Sequence, residues 1–288
     1  MQTRKYYIMG LPASGKTTFL VAFTYMLLNY TRKVGLHMKP DVKQEGLTES
    51  FQKEINRWTN FEPLMHTAVG QVHRMKYILY DEMDDRYELE VPDVSGETFS
   101  AIIKDRYIDA KTLDDWMRAD TILFFVNLDK MNIGNNEELL TEMPISVQNL
   151  LAEQNEQIYE SNISSMSEFP GQFALVELLQ ILYHVRKKSI NIKFILSAWD
   201  SIEALNEGEE AIIPEKIFSE KLPFVYQFIN ANKGNLIVQY WGVSAQGSSL
   251  EDPDEIERMS FAVEPMERVK VVDTMGNVSF DLSKIFME

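Results

Sequence analysis

The run GLPASGKT at residues 10–17 constrains the fold of this chain more than any other feature of its sequence. It fits the phosphate-binding pattern G-x-x-x-x-G-K-[ST] at every fixed position. An aromatic and β-branched run at residues 5–9 predicts a buried strand before it, and an apolar run at residues 18–28 predicts a core helix after it. A strand, a glycine turn and a helix aim backbone N–H groups at a phosphate, whereas the alternative is a glycine turn that only caps a helix.

Two side chains of this loop carry most of its expected chemistry. Lys16 is predicted to reach the β- and γ-phosphates of a nucleotide, where it also has a catalytic role, and the Thr17 hydroxyl is predicted to bind Mg²⁺. The predicted nucleotide-binding residues of the segment are Gly10, Pro12, Ala13, Ser14, Gly15, Lys16, Thr17 and Thr18.

Strand-like runs recur between helical ones along the chain. They lie at residues 6–9, 74–80, 87–91, 121–126, 190–196 and 235–243. The first and the last three are nearly continuous apolar runs, which is typical of strands covered on both faces. The second and third are expected to form a hairpin at one edge. The pattern therefore predicts an α/β fold, with a mostly parallel, doubly wound sheet and one antiparallel edge strand.

The 288 residues suit a single domain, 1–288, in which two segments exceed a minimal fold. These helical insertions are expected at about residues 31–72 and 131–189, and insertions of this length usually serve recognition or partner contact. The C-terminal part, about residues 265–288, predicts a final hairpin whose turn is centred on residues 276–277.

A second motif, PDVSGETF at residues 92–99, directly follows the predicted hairpin strand. An aspartate at that place, Asp93, can hold Mg²⁺ through a water, and the backbone N–H of Gly96 can contact a γ-phosphate. The residue that follows Gly96 is a carboxylate, Glu97. A solvated turn after a strand is the alternative interpretation of this D-x-x-G pattern.

Two further strand ends carry groups that can read a base. Asp200 ends the run IKFILSAWD, and its carboxylate can accept hydrogen bonds from guanine N1–H and the 2-amino group, a donor pair that adenine lacks. The next predicted strand ends in Ser244, Ala245 and Gln246, where a backbone N–H can bind guanine O6. Each signal is weak alone, but their order on successive strands supports both.

Together these motifs resemble the translation-factor-related (TRAFAC) clade of P-loop GTPases. More narrowly, GLPASGKTTFL, LEVPDVSGETF and TILFFVN resemble the bacterial double-GTPase group, whose members are encoded in multi-gene systems suspected of biological conflict or anti-phage defence. The resemblance runs from about residue 6 to 282 and leaves the insertions uncovered. It implies a P-loop GTPase fold and a switch protein that binds and hydrolyses GTP, with GTP or GDP and Mg²⁺ as cofactors.

The sequence departs from the clade's pattern at three places. The usual N-K-x-D is SAWD at residues 197–200, so the base-binding set becomes Ala198, Trp199 and Asp200, with Trp199 or Gln246 covering the purine face. Glu97 stands where many relatives carry a water-orienting Gln, and its charge repels the γ-phosphate. Pro12 stands where many have Gly. The last two departures predict slow hydrolysis until a partner binds.

The resemblance also implies a threonine that binds Mg²⁺ ahead of the hairpin. Thr67 is the predicted residue, with Thr48 as the rival. An arginine that stabilises the transition state is a further option at Arg118 or Arg106, although a salt bridge on a helix face is the more usual role for such a residue.

Charge and composition limit the partners. The formal net charge is −16 and the pI about 4.8, so general binding to nucleic acid or to anionic membranes is not expected. There are no cysteines, the four histidines show no metal-ligand spacing, and no signal peptide or membrane span is predicted, which together suggest a cytoplasmic protein. Protein partners are expected at the switch segments or the 131–189 insertion, and oligomers are possible.

Two other functions stay open at this point. A nucleotide-dependent assembly scaffold with negligible hydrolysis is favoured by Glu97 and Pro12. An ATPase of the same fold is favoured by the altered N-K-x-D at residues 197–200.

Overall fold

The computed structural model describes residues 2–31, 33–65, 74–91, 97–131, 171–205, 212–250, 252–261 and 264–287. Its strands are β1 Thr3–Met9, β2 Met75–Tyr80, β3 Arg86–Val91, β4 Thr121–Asn127, β5 Ile190–Ser197, β6 Leu236–Ser244, β7 Lys270–Val272 and β8 Val278–Ser279. Its helices are α1 Lys16–Asn29, α2 Glu49–Thr59, α3 Glu97–Asp105, α4 Ala110–Arg118, α5 Gly171–Arg186, α6 Trp199–Leu205, α7 Pro214–Lys221, α8 Pro223–Ala231, α9 Pro253–Ser260 and α10 Lys284–Met287, with a 3₁₀ turn at Pro265–Arg268.

The strands form one sheet in the order β2-β3-β1-β4-β5-β6-β7-β8. The five strands from β3 to β6 run parallel, and β2 pairs antiparallel with β3. The predicted α/β fold with an antiparallel edge strand is thus confirmed. The opposite edge is antiparallel as well, because the C-terminal hairpin adds β7 and β8 beside β6.

Two layers of core side chains cover the two faces of the sheet. In β1, Tyr6 and Ile8 belong to one buried cluster, whereas Tyr7 and Met9 belong to the other. This alternation follows from the period of two in a strand. It explains the near-continuous apolar sequence of the central strands, since each face packs against helices. The parallel arrangement brings the carboxyl ends of β1, β4, β5 and β6 to one edge of the sheet.

The two segments that exceed a minimal fold have defined structure in part. In the second segment, predicted as an insertion at residues 131–189, residues 171–186 form α5, which packs against the sheet. These residues therefore belong to the core fold, and the insertion itself is shorter than predicted. In the first, residues 37 and 45 pair with the outer edge of β2, and α2 then packs against α1. Unpaired strand edges invite aggregation, and these bridges cover part of this edge.

Two buried side chains of the sheet form hydrogen bonds with the last described helix, α10. The Tyr6 hydroxyl donates to the carbonyl of Phe286 at 2.5 Å, and the Lys193 ammonium donates to the carbonyl of Ile285 at 2.7 Å. Both carbonyls lie in the short helix α10, whose last carbonyls lack partners within the helix. The C-terminal helix is therefore part of the core rather than an appendage.

Candidate functional site

The loop between β1 and α1 needs glycine at two positions because other strands approach it closely. A Cβ added at Gly10 would lie 2.6 Å from the carbonyl oxygen of Phe125. Gly15 has φ +86°, and a Cβ there would lie 2.7 Å from Cβ and Oγ of Ser197. The loop is thus pressed against the ends of β4 and β5. Only a residue without a side chain fits at these two points.

Lys16 lies inside this loop. Its ammonium donates to the carbonyls of Gly10 at 2.8 Å and Leu11 at 2.9 Å and to Oγ of Ser14 at 3.1 Å. The side chain is only 2% exposed. The loop therefore holds a buried positive charge against two of its own carbonyls and one hydroxyl, and a positive charge at this place favours the binding of a phosphate.

Helix α1 begins directly at Lys16 and presents its N-terminus to the same place. Its N-cap residue, Gly15, offers no side-chain hydrogen bond, and the first turn contains no acidic residue. The first N–H groups of a helix have no partner within the helix, and its dipole favours an anion there. Thr17, the second residue of α1, stands at this end, next to Lys16.

Ser197 connects the loop to the neighbouring strands. Its hydroxyl bonds to the carbonyl oxygen of Ser14 at 2.9 Å and to that of Val126 at 3.3 Å, and both contacts are buried. The sequence shows Ser197 only as the residue that replaces the usual Asn of N-K-x-D. The structure gives it a role of its own, since it joins β4, β5 and the phosphate-binding loop.

The two predicted base-reading elements lie side by side. Asp200 is in the first turn of α6, after a turn in which Ala198 has φ +52°. Its Oδ1 accepts a hydrogen bond from the Ser244 hydroxyl at 2.5 Å. The same hydroxyl accepts the N–H of Gly247 at 3.1 Å. The carboxylate and residues 244–247, hereafter the base loop, are thus held by one shared serine.

A cleft of about 400 Å³ joins these parts, a volume within the usual range for small-molecule sites. It is lined from the phosphate end and from the base end by the predicted residues Gly15, Thr18, Ala198, Asp200, Ala245 and Gln246. Lys16 and Ser244 are buried, and each is the chain neighbour of a residue that lines the cleft. The structure therefore brings together predicted residues that are more than 200 positions apart in sequence.

The ring of Trp199 does not take part in this cleft, contrary to one of the two options for covering the purine face. The residue is fully buried, and its indole lies so close to Gly242 that a Cβ there would come within 2.3 Å of the ring. As the first residue of α6, Trp199 is turned toward the sheet. Gln246 lines the cleft and is left as the candidate for covering the base.

Several other predicted residues fall elsewhere. Thr67, Asp93 and Gly96 lie outside the described residues, and Glu97 is the first residue of α3. Thr48, the rival candidate for binding Mg²⁺, has a structural role instead. It is the N-cap of α2, and its hydroxyl accepts the N–H of Phe51 at 3.3 Å. Helices favour threonine at this position.

The arginine options are not supported by the structure. Arg118 pairs with Asp114 one helical turn away at 3.0 Å, as expected for a residue on an exposed helix face. It precedes β4 and so lies at the amino ends of the parallel strands, away from the phosphate-binding loop. Arg106 pairs with Glu177 of α5. Both arginines are engaged in ion pairs that do not involve the cleft.

One polar segment that lines the cleft is not among the residues predicted from the sequence. The Asn127 side chain at the end of β4 accepts the N–H groups of Asp129 at 3.0 Å and Lys130 at 3.3 Å. All three residues line the cleft. The run NLDK directly after an apolar strand is a signal that could have identified them, because ligands bind beyond the carboxyl ends of parallel strands.

The rim of the base end contains further ion pairs. The Ser248 hydroxyl, which lines the cleft, donates to Glu255 at 2.8 Å, and Arg258 pairs with that carboxylate at 2.7 Å. The arginine and the serine together lower the pKa of Glu255.

Within the described ranges, no three His, Asp or Glu side chains are arranged to hold a metal ion. Among the helices described, none is long and apolar enough to cross a membrane.

Comparison with known proteins gives a match at the level of a family. A model of the family described as double-GTPase 1 matches residues 7–286. A search of curated proteins found no match.

The similar solved structures are distant. One is the signal recognition particle receptor SRb-GTP/SRX complex from Chaetomium thermophilum, with 11% identity over 85% of this chain and 92% of that one, and a TM-score of 0.39. A second is the bacterial selenocysteine-specific elongation factor EF-Sec, with 12% identity over 92% of this chain and 30% of that one, and a TM-score of 0.37. A third is Sup35 complexed with GDP, with 10% identity over 86% of this chain and 38% of that one, and a TM-score of 0.35. The chain spans well under half the length of the last two.

Proposed function

Because the chain belongs to the double-GTPase 1 family and is a GTP hydrolase, we propose that it is a Mg²⁺-dependent switch whose nucleotide occupies the cleft between the phosphate-binding loop and the base loop. The observation that carries this proposal is the position of Asp200. Its carboxylate lines the same cleft as Gly15 and Thr18, and it is bonded to the base loop through Ser244. One nucleotide can therefore contact both ends.

At the phosphate end, binding depends on the loop and on α1. Lys16 neutralises charge on the β- and γ-phosphates, and it exchanges its bonds to the loop carbonyls for bonds to phosphate oxygens. The uncapped N–H groups of α1 add to this attraction. The phosphates therefore bind to groups that are already in place, which lowers the cost of organising the site.

The metal belongs at the same end. The Thr17 hydroxyl, at the start of α1, is the described group that would hold Mg²⁺, with Thr67 and a water on Asp93 as the other proposed ligands. Mg²⁺ held by these groups would supply positive charge against the charge that develops on the phosphates during transfer. Gly96 is proposed to donate its N–H to the γ-phosphate. Glu97 is proposed to position the attacking water.

At the base end, recognition is divided between a side chain and the backbone. Asp200 accepts from guanine N1–H and the 2-amino group, and an N–H of the base loop binds O6. Gln246 covers the purine face, and Lys130 at the opposite rim is a second candidate for that role. This division favours guanine over adenine, which offers no N1–H and no O6.

The biological role is inferred from the resemblance of the motifs alone. We propose a component of a bacterial multi-protein conflict or anti-phage system, located in the cytoplasm. It would act on protein partners through the segments around residues 67 and 96–103 or through the 131–189 insertion. Phage plating on cells that carry the system with wild-type or Lys16→Ala protein tests this role. Equal plating in the presence of phage-sensitive controls would contradict it.

The nucleotide assignment has a direct test. Unlabelled GTP and ATP compete for a fluorescent GDP analogue in the presence of Mg²⁺. GTP is expected to displace it at a concentration at least about tenfold lower, because adenine does not offer Asp200 the donor pair that guanine has. Asp129→Asn, which alters another carboxylate of the same cleft, is the matched control and should keep this preference. Equal displacement by the two nucleotides would contradict guanine recognition.

A further inference from the structure

We infer that Trp58 and Arg268 are positioning residues for guanine recognition, because they hold the base loop, residues 244–247, in the shape that presents its backbone N–H groups to the base. The inference rests on the proposed function, in which this loop binds guanine O6. Neither residue lies in a motif of the sequence. Trp58 belongs to α2, in the first insertion, and Arg268 ends the 3₁₀ turn before β7.

The first contact is a buried hydrogen bond to the backbone of the loop. The indole N–H of Trp58 donates to the carbonyl oxygen of Ala245 at 2.9 Å, across 187 positions of sequence. Trp58 is fully buried and packs against Tyr25 of α1, with ring centroids 5.3 Å apart. The donor is therefore fixed by the core, and it fixes the orientation of one peptide group of the base loop.

That peptide group determines where an N–H points. The Ala245 carbonyl and the Gln246 N–H belong to the same peptide, which is planar and trans, so they point in opposite directions. A carbonyl held toward Trp58 turns the N–H of Gln246 away from the core. Ala245 and Gln246 both line the cleft. Loss of the indole N–H would free this peptide to rotate and would remove the preset direction of the donor.

The second contact supports the end of the loop. Gly247 has φ +96°, and a Cβ there would lie 3.0 Å from both Cβ and the carbonyl oxygen of Arg268. The guanidinium of Arg268 lies between two rings, 4.2 Å from the centroid of Trp58 and 4.3 Å from that of Phe61. It also donates to the carbonyl of Trp58 at 3.3 Å. Arg268 thus contacts the base loop on one side and the end of α2 on the other.

The cost of this arrangement indicates that it serves more than stability. Arg268 is only 6% exposed, and among the described residues its Nε and Nη1 have no hydrogen-bond partner. Burial lowers the pKa of the Arg268 guanidinium to about 10, so it stays charged at neutral pH. Phe61, which forms one wall, has φ +60°, a conformation that is unfavourable for a residue with a side chain. An apolar residue at position 268 would avoid the burial of a charge.

The base loop is therefore held at three successive points. Asp200 binds Ser244, Trp58 binds the carbonyl of Ala245, and Arg268 supports Gly247. Of the three residues that hold the loop, only Asp200 belongs to a base-reading motif. A loop whose N–H groups are already oriented loses less entropy when it binds the base, which raises affinity without any new contact to the ligand.

The test compares two nucleotides on matched tryptophan variants. GTP and 2-aminopurine riboside triphosphate differ at O6 and at the N1 proton, so the ratio of their affinities reports how well these groups are read. Trp58→Phe keeps an aromatic ring beside Arg268 and removes the N–H donor. Trp116→Phe is the control, because Trp116 is equally buried but lies in the core layer on the other face of the sheet.

We expect the preference of the wild type for GTP to fall by about 3- to 10-fold in Trp58→Phe, the size of one lost hydrogen bond, and to persist in Trp116→Phe. Affinity for the 2-aminopurine nucleotide should stay within about twofold of wild type, because the phosphate end is unchanged. An unchanged preference in a folded Trp58→Phe protein would overturn the inference. So would an equal loss of affinity for both nucleotides, which indicates general destabilisation.

A second variant covers the case in which Trp58→Phe does not fold. Arg268→Met keeps an unbranched stem between the two rings and removes the buried charge, so the fold should survive. We expect a two- to threefold fall in the same preference, about the size of a weak hydrogen bond. No fall would contradict the role of Arg268. If the wild type itself does not prefer GTP over the 2-aminopurine nucleotide, then the proposed base recognition fails, independently of Trp58.

Discussion

The two ends of the cleft are built in different ways. The phosphate end comes from one contiguous run, residues 10–17, whose strand, turn and helix fold together and leave a lysine and a helix N-terminus in place. The base end is assembled from Trp58, Asp200, residues 244–247 and Arg268, which meet only when the sheet is complete. The difference teaches that the proposed phosphate contacts are set by local geometry, whereas the proposed base contacts depend on the whole fold.

The largest expected effect is a loss of nucleotide affinity at the phosphate end of the cleft. Lys16→Ala removes the buried ammonium and should weaken GTP and GDP binding by at least about 100-fold, since it deletes several charge-assisted hydrogen bonds worth ~3 kcal/mol together. Titration calorimetry with Mg²⁺ measures this. Lys130→Ala removes a lysine that lines the same cleft but lies outside the loop, and it should cost far less. An equal loss of nucleotide affinity in the two variants would contradict a specific role for Lys16 in phosphate binding.

The next effect concerns turnover rather than binding. Glu97→Ala should keep GTP affinity and lose most of the single-turnover hydrolysis rate, because positioning of water and electrostatics carry phosphoryl transfer. The isolated wild type should itself be slow, since the carboxylate repels the γ-phosphate. Asp93→Ala should lose both turnover and its dependence on Mg²⁺. Hydrolysis by Glu97→Ala at the wild-type rate would assign the catalytic role to another group.

The sequence carried enough information for the fold and for most of the cleft. The apolar runs and their order predicted the parallel sheet, and Gly15 of the glycine-rich motif and Asp200 line one cleft. It left Trp199 and Gln246 as alternatives for covering a base, and the structure places the Trp199 ring in the core beside Gly242. A motif shows which residue follows a strand. It does not show which side of a helix then faces the sheet.

The contributions of Ser197, Trp58 and Arg268 could not be predicted for a different reason. Each acts through contacts between segments that are distant in sequence: Ser197 reaches a carbonyl 183 positions away, and Arg268 reaches one 210 positions away. Backbone carbonyls carry no sequence signature, so a side chain that binds one leaves no paired residue to recognise. Such contacts follow from the register of the strands and the packing of α2.

A smaller effect tests the junction between the two ends. Ser197→Ala removes the bonds to the carbonyls of Ser14 and Val126, and it should lower the free energy of unfolding by ~1 kcal/mol. Nucleotide affinity should fall only a few-fold, since the loop keeps its other contacts. Denaturant unfolding and calorimetry measure the two quantities. Ser201→Ala, which removes another hydroxyl that lines the cleft, should leave stability near wild type. The same loss in both variants would contradict a specific role for Ser197.

The central claim is that Asp200 reads guanine in the cleft whose other end binds the phosphates. The most direct measurement is the ratio of affinities for GTP and xanthosine triphosphate in wild type and Asp200→Asn. Xanthine has a carbonyl where guanine has its 2-amino group, so the asparagine amide can donate where the carboxylate accepts. We predict that wild type prefers GTP and that the variant loses about 1.5–3 kcal/mol of GTP affinity and prefers the xanthine nucleotide. Unchanged GTP affinity in a folded Asp200→Asn protein would contradict the account.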